Sequence, residues 1–178
     1  MNKIVIDWFD AHLTEKEVRG RRVLDVGSRN VNGSVRDIIM AKGAAEYAGV
    51  DLRPGPGVDL VCDAGKLAQR FGASAFDIVV SACTLEHVRD LPRAVSNIKH
   101  VCCPGGLILI AVPSRWPRHD YPGDYWRFTL AGLGALFGDC AVLQVAGTAQ
   151  SDARALVFGK FRKPEDWQEQ PGILRLGI

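Results

Sequence analysis

Four short apolar runs in this chain end on, or just before, groups able to hold a nucleoside. Asp25 and Gly27 close the run Val23–Val26, and Ser28 follows. Asp51 and Leu52 close Tyr47–Leu52, Asp63 and Ala64 follow Asp59–Cys62, and Ser81 and Ala82 end Phe76–Ala82. A carboxylate at the tip of a second strand can accept hydrogen bonds from both hydroxyls of a ribose. Asp51 stands roughly two dozen residues beyond Gly27, the spacing usual in nucleoside-binding α/β units. The loop Gly27-Ser28-Arg29-Asn30 separates the candidate cofactors. A nicotinamide dinucleotide carries a pyrophosphate, which needs G-x-G-x-x-G and bare backbone N–H groups at a helix start. Here the second glycine is missing, and the charge of Asp25 would repel phosphates. A cofactor with adenine and ribose, no phosphate and a cationic end fits better, and S-adenosylmethionine is such a molecule.

Methyl transfer from a sulfonium is an in-line displacement from an activated donor. The protein mainly aligns the nucleophile and shapes the charge around it, and no metal is required. A base helps only when the acceptor must lose a proton. His87, in Leu85-Glu86-His87-Val88 just beyond the fourth apolar run, is the candidate catalytic base, because neutral imidazole takes protons near pH 7. Packing that shapes the pocket is the competing reading of His87, and Glu86 is equally suited to bonding a neighbouring backbone N–H. Residues 113–128, Pro-Ser-Arg-Trp-Pro-Arg-His-Asp-Tyr-Pro-Gly-Asp-Tyr-Trp-Arg-Phe, gather aromatic, acidic and basic groups in one loop. Such a loop can line a pocket for a polar acceptor. Its candidate substrate contacts are His119, Asp120, Tyr121, Asp124, Tyr125 and Arg127. The structural alternative is that Trp126 and Phe128 plug the loop into the core while Arg127 pairs with Asp124.

These groups need a scaffold that brings strand tips together. The apolar runs alternate with helical patterns, which predicts an α/β fold: a doubly wound, Rossmann-like sheet of about seven mostly parallel strands with helices on both faces. Residues 3–18 carry Val5, Trp8, Phe9 and Leu13 at helical spacing, and Trp8 or Phe9 either covers the cofactor or simply packs. A helix is expected from Ser34 to Gly43, one or two turns over 65–71, and a further helix from Pro92 that stops at Pro104-Gly105-Gly106, where the chain turns. Leu107–Val112 is the fifth strand. Thr129 can cap a helix bearing Leu130, Leu133, Leu136 and Phe137. Ala141–Ala146 and Ala153–Phe161 read as the last two strands, the final one antiparallel. One domain over 1–178 is expected, with an N-terminal helix (1–20), an α/β core (21–163) and an irregular tail (164–178).

The 178 residues suffice for a sizeable core, and the 47 % apolar content is that of a globular chain. A net charge of +2 argues against nucleic acid or an anionic membrane as partner, and Arg19, Arg21 and Arg22 read as a solvated strand entry. No membrane span is indicated. The opening MNKIVIDWF contains Asp7 and lacks a small-residue cleavage site, so a cytoplasmic location is expected. The five cysteines form no C-x-x-C pair and read as free thiols in a reducing compartment.

Taken in order, VLDVGSRNVNG (23–33), GVDLRPG (49–55), LVCDAGKL (60–67), FDIVVSACTLEHVRD (76–90) and CCPGGLILIAVPS (102–114) resemble the class I S-adenosylmethionine-dependent methyltransferases, in particular the small type 11-like group. YPGDYWRFTLAGLGALF (121–137) looks like the loop and helix after strand five in some of these proteins. The resemblance implies that Asp25 lies near the methionine ammonium with Gly27 and Ser28 around it. It further implies that Asp51 and Leu52 hold the ribose, that Asp63 and Ala64 meet the adenine, and that Ser81 and Ala82 pass beneath the sulfonium. Arg29 departs from the pattern, which usually has glycine there. The function implied is methyl transfer to an oxygen or nitrogen of a small polar molecule, by a monomer or homodimer. Two alternatives stay open: a silent cofactor-binding module or partner subunit, and a nucleic-acid or protein methyltransferase. The latter lacks support from any Asn/Asp-Pro-Pro-aromatic or Pro-Cys motif after strand four.

Overall fold

The computed structural model of the chain describes residues 3–119, 123–149 and 153–170. Seven strands form one sheet: β1 (Arg22–Val26), β2 (Glu46–Asp51), β3 (Leu60–Val61), β4 (Phe76–Ala82), β5 (Cys102–Arg115), β6 (Ala141–Gly147) and β7 (Ala155–Arg162), in the order β3-β2-β1-β4-β5-β7-β6. β1 through β5 pair in parallel. β7 runs antiparallel to both β5 and β6. This is the doubly wound, Rossmann-like arrangement expected, with its antiparallel last strand.

Strand residues alternate between two cores because successive side chains leave opposite faces. Leu24, Val26, Val79, Ile108 and Ile110 pack on one face against α4 (Leu67–Phe71), α5 (Leu91–Val101) and α6 (Leu130–Leu136). Val23, Ile78, Val80, Leu107, Leu109 and Ala111 pack on the other against α1 (Lys3–His12), α2 (Glu15–Val18) and α3 (Arg36–Ala41). Burial on both faces explains why β4 and β5 read as continuous apolar runs. The five thiols are free, with Cys102 and Cys140 buried. Among the described residues, no helix is long and apolar enough to cross a membrane.

Two local expectations are corrected. The helical pattern over 3–18 is not one helix: Leu13 and Thr14 break it, and Thr14 opens α2 with a capping box in which its side chain accepts from Glu17 N and Glu17 returns a carboxylate to Thr14 N. Pro104-Gly105-Gly106 does not end an element either. β5 begins at Cys102, and its pairing with β4 shifts register before resuming at Leu107, with Gly105 at φ +71°. Between Phe76↔Cys102 and Ile78↔Leu107, β5 spends five steps against two on β4, so Pro104-Gly105-Gly106 lies in an irregular excursion within a continuing pair.

The chain passes β1, β2 and β3 outward in one direction and then returns to place β4 on the other side of β1. The connections leaving β1 and β4 therefore diverge, and a crevice opens beyond their carboxyl ends. Ligands of open α/β sheets bind at this point.

Candidate active site

A cavity of about 1050 Å³ occupies that crevice. Ligand pockets commonly span about 300–1,000 Å³, so this one has room for a cofactor and an acceptor together. Gly27 sits where β1 gives way to its loop, at φ +85°. A Cβ there would lie 1.9 Å from Thr84 Oγ1, in the turn leaving β4. The absence of a side chain keeps the two strand tips close and the floor of the crevice open.

Of the expected cofactor residues, Gly27, Asp51, Leu52, Asp63, Ala64 and Ala82 line the cavity. Asp51 ends β2 and accepts from Arg53 N at 3.0 Å, which orients its carboxylate at the strand tip. Asp63 caps the 3-10 turn Ala64–Lys66 through Gly65 N, at 2.7 Å. Asp25, Ser28 and Ser81 are not in the cavity wall and are buried behind it. Ser81 Oγ donates to Val26 O at 2.9 Å and ties β4 to the end of β1. Arg29 does line the cavity. Its aliphatic stem lies over Gly55, where an added Cβ would come within 2.9 Å of Arg29 Nε. The missing loop glycine is thus matched by a glycine in the facing loop.

Asp25 is bonded within the scaffold on one side. Its Oδ2 accepts from Tyr47 Oη at 2.5 Å and its Oδ1 has no partner. Burial pushes its carboxyl up to about 6, against 3.8 normally, although the Tyr47 bond opposes the shift. The folded protein therefore binds a proton more readily than the unfolded chain. Charged Asp25 opposes folding above about pH 6, and the penalty fades as pH falls from there toward 3.8. Asp25→Asn keeps the acceptor for Tyr47 and removes the charge. Its expected effect is a gain of up to about 3 kcal/mol at pH 8, shrinking towards zero near pH 4, measured by urea unfolding of the ligand-free protein across pH.

A further part of the cavity wall is built from two segments clamped together. Beyond β4, the 3-10 turn Leu85–His87 carries Glu86 and His87 into the wall. The loop after β5 folds back on it: Tyr125 N donates to Glu86 O at 2.8 Å, Trp126 Nε1 to Val88 O at 2.7 Å, and His87 Nδ1 meets Gly123 O at 2.5 Å. Asp124 organises this loop. Its carboxylate takes the Arg127 guanidinium through both oxygens and accepts from His119 N at 2.9 Å. The Arg127 bond holds the Asp124 carboxyl well below the usual carboxylate range. Arg127 also donates to Trp116 O, and Phe128 is buried in the core. The structural reading of Asp124, Arg127, Trp126 and Phe128 is thus the observed one. His87, His119 and Tyr125 face the cavity, whereas Asp124 and Arg127 do not. Asp120 and Tyr121 lie outside the described residues.

Burial lowers the His87 pKa and favours the neutral imidazole, although the bond to Gly123 O opposes the shift; in the tautomer whose Nδ1–H donates to Gly123 O, the lone pair lies at Nε2. Glu86 is 1 % exposed, and its Oε2 has no hydrogen-bond partner. Burial pushes its carboxyl up to about 8.

Sequence reasoning missed several wall residues. Val5 from α1 lines the cavity, while Trp8 stacks on Phe158 and Phe9 is buried in the core. Trp116, Arg154 and Leu156 also line the cavity, and the Arg154 guanidinium lies over the Trp116 ring at 5.6 Å. Only the β5–β7 pairing brings these last residues together, and no local motif announces it. Thr84 had a signal, since it directly precedes the Leu-Glu-His-Val stretch.

The fold and the strand-tip site define a protein of the class I methyltransferase type. The methyltransferase domain family matches residues 2–137, and the chain belongs to that family. A curated relative, the ubiquinone biosynthesis O-methyltransferase of Burkholderia thailandensis, is 27 % identical over 128 residues, 65 % of this chain. The chain spans about half (53 %) of that relative's length. Among solved structures, the 1,6-didemethyltoxoflavin-N1-methyltransferase of B. thailandensis, with 1,6-didemethyltoxoflavin and S-adenosylhomocysteine bound, superposes with a TM-score of 0.68 at 21 % identity, covering 91 % of this chain and 77 % of that one. The N-methyltransferase NodS of Bradyrhizobium japonicum, in complex with S-adenosylhomocysteine, gives 0.65 at 18 % identity over 88 % and 84 % of the two chains.

Proposed function

We propose that this methyltransferase moves the methyl group of S-adenosylmethionine to an oxygen or nitrogen of a small polar molecule. The observation that carries the proposal is that one cavity is lined both by the strand-tip residues Gly27, Asp51 and Asp63 and by Glu86, His87, His119 and Tyr125. The residues present fit the cofactor. Asp51 stands ready for the ribose hydroxyls and Asp63 for the adenine edge. Gly27 leaves the crevice floor free of side chain where the methionine part would cross. When bound, the cofactor supplies a methyl carbon already activated by its sulfonium.

The protein's share is positioning and exclusion of water. Loop 123–128 is fastened to the turn after β4, which restrains the His87 ring in the cavity wall and suits it to a role in aligning the acceptor. Trp116, Leu156 and Val5 offer apolar wall for the body of the acceptor. An acceptor hydroxyl can pass its proton to His87 Nε2 as the new bond forms, whereas an ammonium would give its proton up first and then attack as the neutral amine. The test is transfer of radiolabelled methyl from S-adenosylmethionine to a panel of phenols, catechols and amines, with bulk RNA and protein in parallel. Label in small molecules, reduced at least about 100-fold in His87→Ala, supports the reading. Label only in RNA or protein, or cofactor binding without transfer to any class, overturns it.

A further inference from the structure

We propose that Glu86, His87 and His119 bind a divalent transition-metal ion in the wall of the cavity. One ligand atom from each lies within 4.8 Å of the others, and all three residues line the cavity. Two imidazoles and a carboxylate form a donor set that suits zinc and its neighbours, and three protein ligands leave a coordination position open for a substrate. The open position would face the space assigned above to the acceptor.

Both imidazoles are prepared as ligands by what their other nitrogens touch. His87 Nδ1 meets Gly123 O at 2.5 Å, and His119 Nδ1 lies 3.2 Å from Pro117 O and 3.3 Å from the Asp124 carboxylate. A ring whose Nδ1–H donates to a carbonyl or carboxylate holds its lone pair at Nε2, and metal-binding histidines are usually held in this way. Asp124 is itself locked by Arg127, so the support extends a further layer. The two rings meet edge to face, with centroids 4.8 Å apart. His87 Nε2 lies 3.9 Å from Glu86 Oε1, and Glu86 Oε2 is buried without a partner. A buried carboxyl oxygen left unpaired is costly, and a cation that displaced the Glu86 proton would satisfy it. Tetrahedral ligands at about 2.1 Å from zinc stand roughly 3.4 Å apart. The ligand atoms, within 4.8 Å of one another, would have to draw together, and the His119 side chain is 43 % exposed and so open to solvent on one side.

Such an ion would change how the acceptor is activated. This consequence rests on the methyltransferase reading, whereas the metal site itself does not. An acceptor hydroxyl bound at the open position would release its proton to water. Its oxygen would then attack the methyl carbon as the carbon–sulfur bond breaks, and the electron pair would return to sulfur as a neutral thioether. The ion, rather than His87, would favour loss of the proton. A substrate ammonium could satisfy the same three acceptors without any metal, and it is an outcome of the test.

The experiment is titration of the chelator-treated full chain with Co²⁺, followed by its visible absorption, and with Zn²⁺ by calorimetry. One ion per chain is expected, with affinity reduced at least about 10-fold in His119→Ala and in His87→Ala. His119→Ala, at a partly exposed side chain, is checked for unchanged binding of S-adenosylhomocysteine, which separates loss of a ligand from loss of fold. Wild-type protein that binds S-adenosylhomocysteine but no Co²⁺, or binding that neither substitution weakens, overturns the metal site and leaves the methyltransferase reading intact. Metal binding with methyl transfer undiminished by chelator overturns the activating role and returns proton removal, or ammonium binding, to these side chains.

Discussion

Asp51→Ala is expected to weaken S-adenosylhomocysteine binding by about 100-fold or more, with little change in the unfolding midpoint. A carboxylate accepting from two ribose hydroxyls makes two charge-assisted bonds, each worth about 1.5–3 kcal/mol. Loss of both amounts to at least two decades in affinity. The stability term is small because the side chain stands at a strand tip, where it bonds the backbone of Arg53, and lies outside both cores. Asp51→Asn keeps one good acceptor without the charge and is expected to fall between, near about 10-fold. Calorimetry with the demethylated cofactor reads all three proteins. Equal affinities would remove the ribose role from Asp51.

Gly27→Ala should have the largest effect of any single methyl addition, because two independent costs meet there. At φ +85° an alanine is strained by about 1–2 kcal/mol, and its Cβ would overlap the Thr84 side chain, 1.9 Å from Oγ1 and 2.4 Å from Cγ2. Overpacking of this kind costs typically about 1–3 kcal/mol. The expected outcome is a loss of roughly 2–5 kcal/mol in urea unfolding, together with cofactor binding too weak for calorimetry. Thr84→Gly in the same chain relieves the overlap but not the backbone strain. It should recover about half of the stability. Full recovery would assign the whole role of Gly27 to its contact with Thr84, and no recovery would assign it to backbone conformation.

The strand tips were legible in the sequence because each lies at the end of an apolar run of strand length, and a parallel sheet buried on both faces produces just such runs. β4 coincides with its apolar run to the residue, and Thr129 caps α6 as its residue type and position predict. Asp51 and Asp63 could be placed because strand direction alone decides which end of a strand faces the crevice. Asp25 was less legible. Its position in β1 is local information, but the face to which its side chain turns depends on Tyr47 from β2, and that pairing is long-range. The substrate loop divides in the same way. Which residues it holds was plain, whereas which of them are spent on the loop itself was settled by the Asp124–Arg127 pair and the clamps onto 86–88. The break at Thr14 had a signature, Thr-Glu-Lys-Glu, which matches a capping box and was outweighed by apolar periodicity on both sides. Arg29 departs from the family pattern in sequence, and only the fold shows that Gly55 makes space for it.

The most direct measurement is a calorimetric titration of the full chain with S-adenosylhomocysteine, with NADH titrated in parallel. One-to-one binding of S-adenosylhomocysteine in the micromolar range, abolished in Gly27→Ala and strongly weakened in Asp51→Ala, is the expected result. Absence of heat and of any thermal shift with either S-adenosylhomocysteine or S-adenosylmethionine, or preferential binding of the dinucleotide, would contradict a sulfonium cofactor in this crevice.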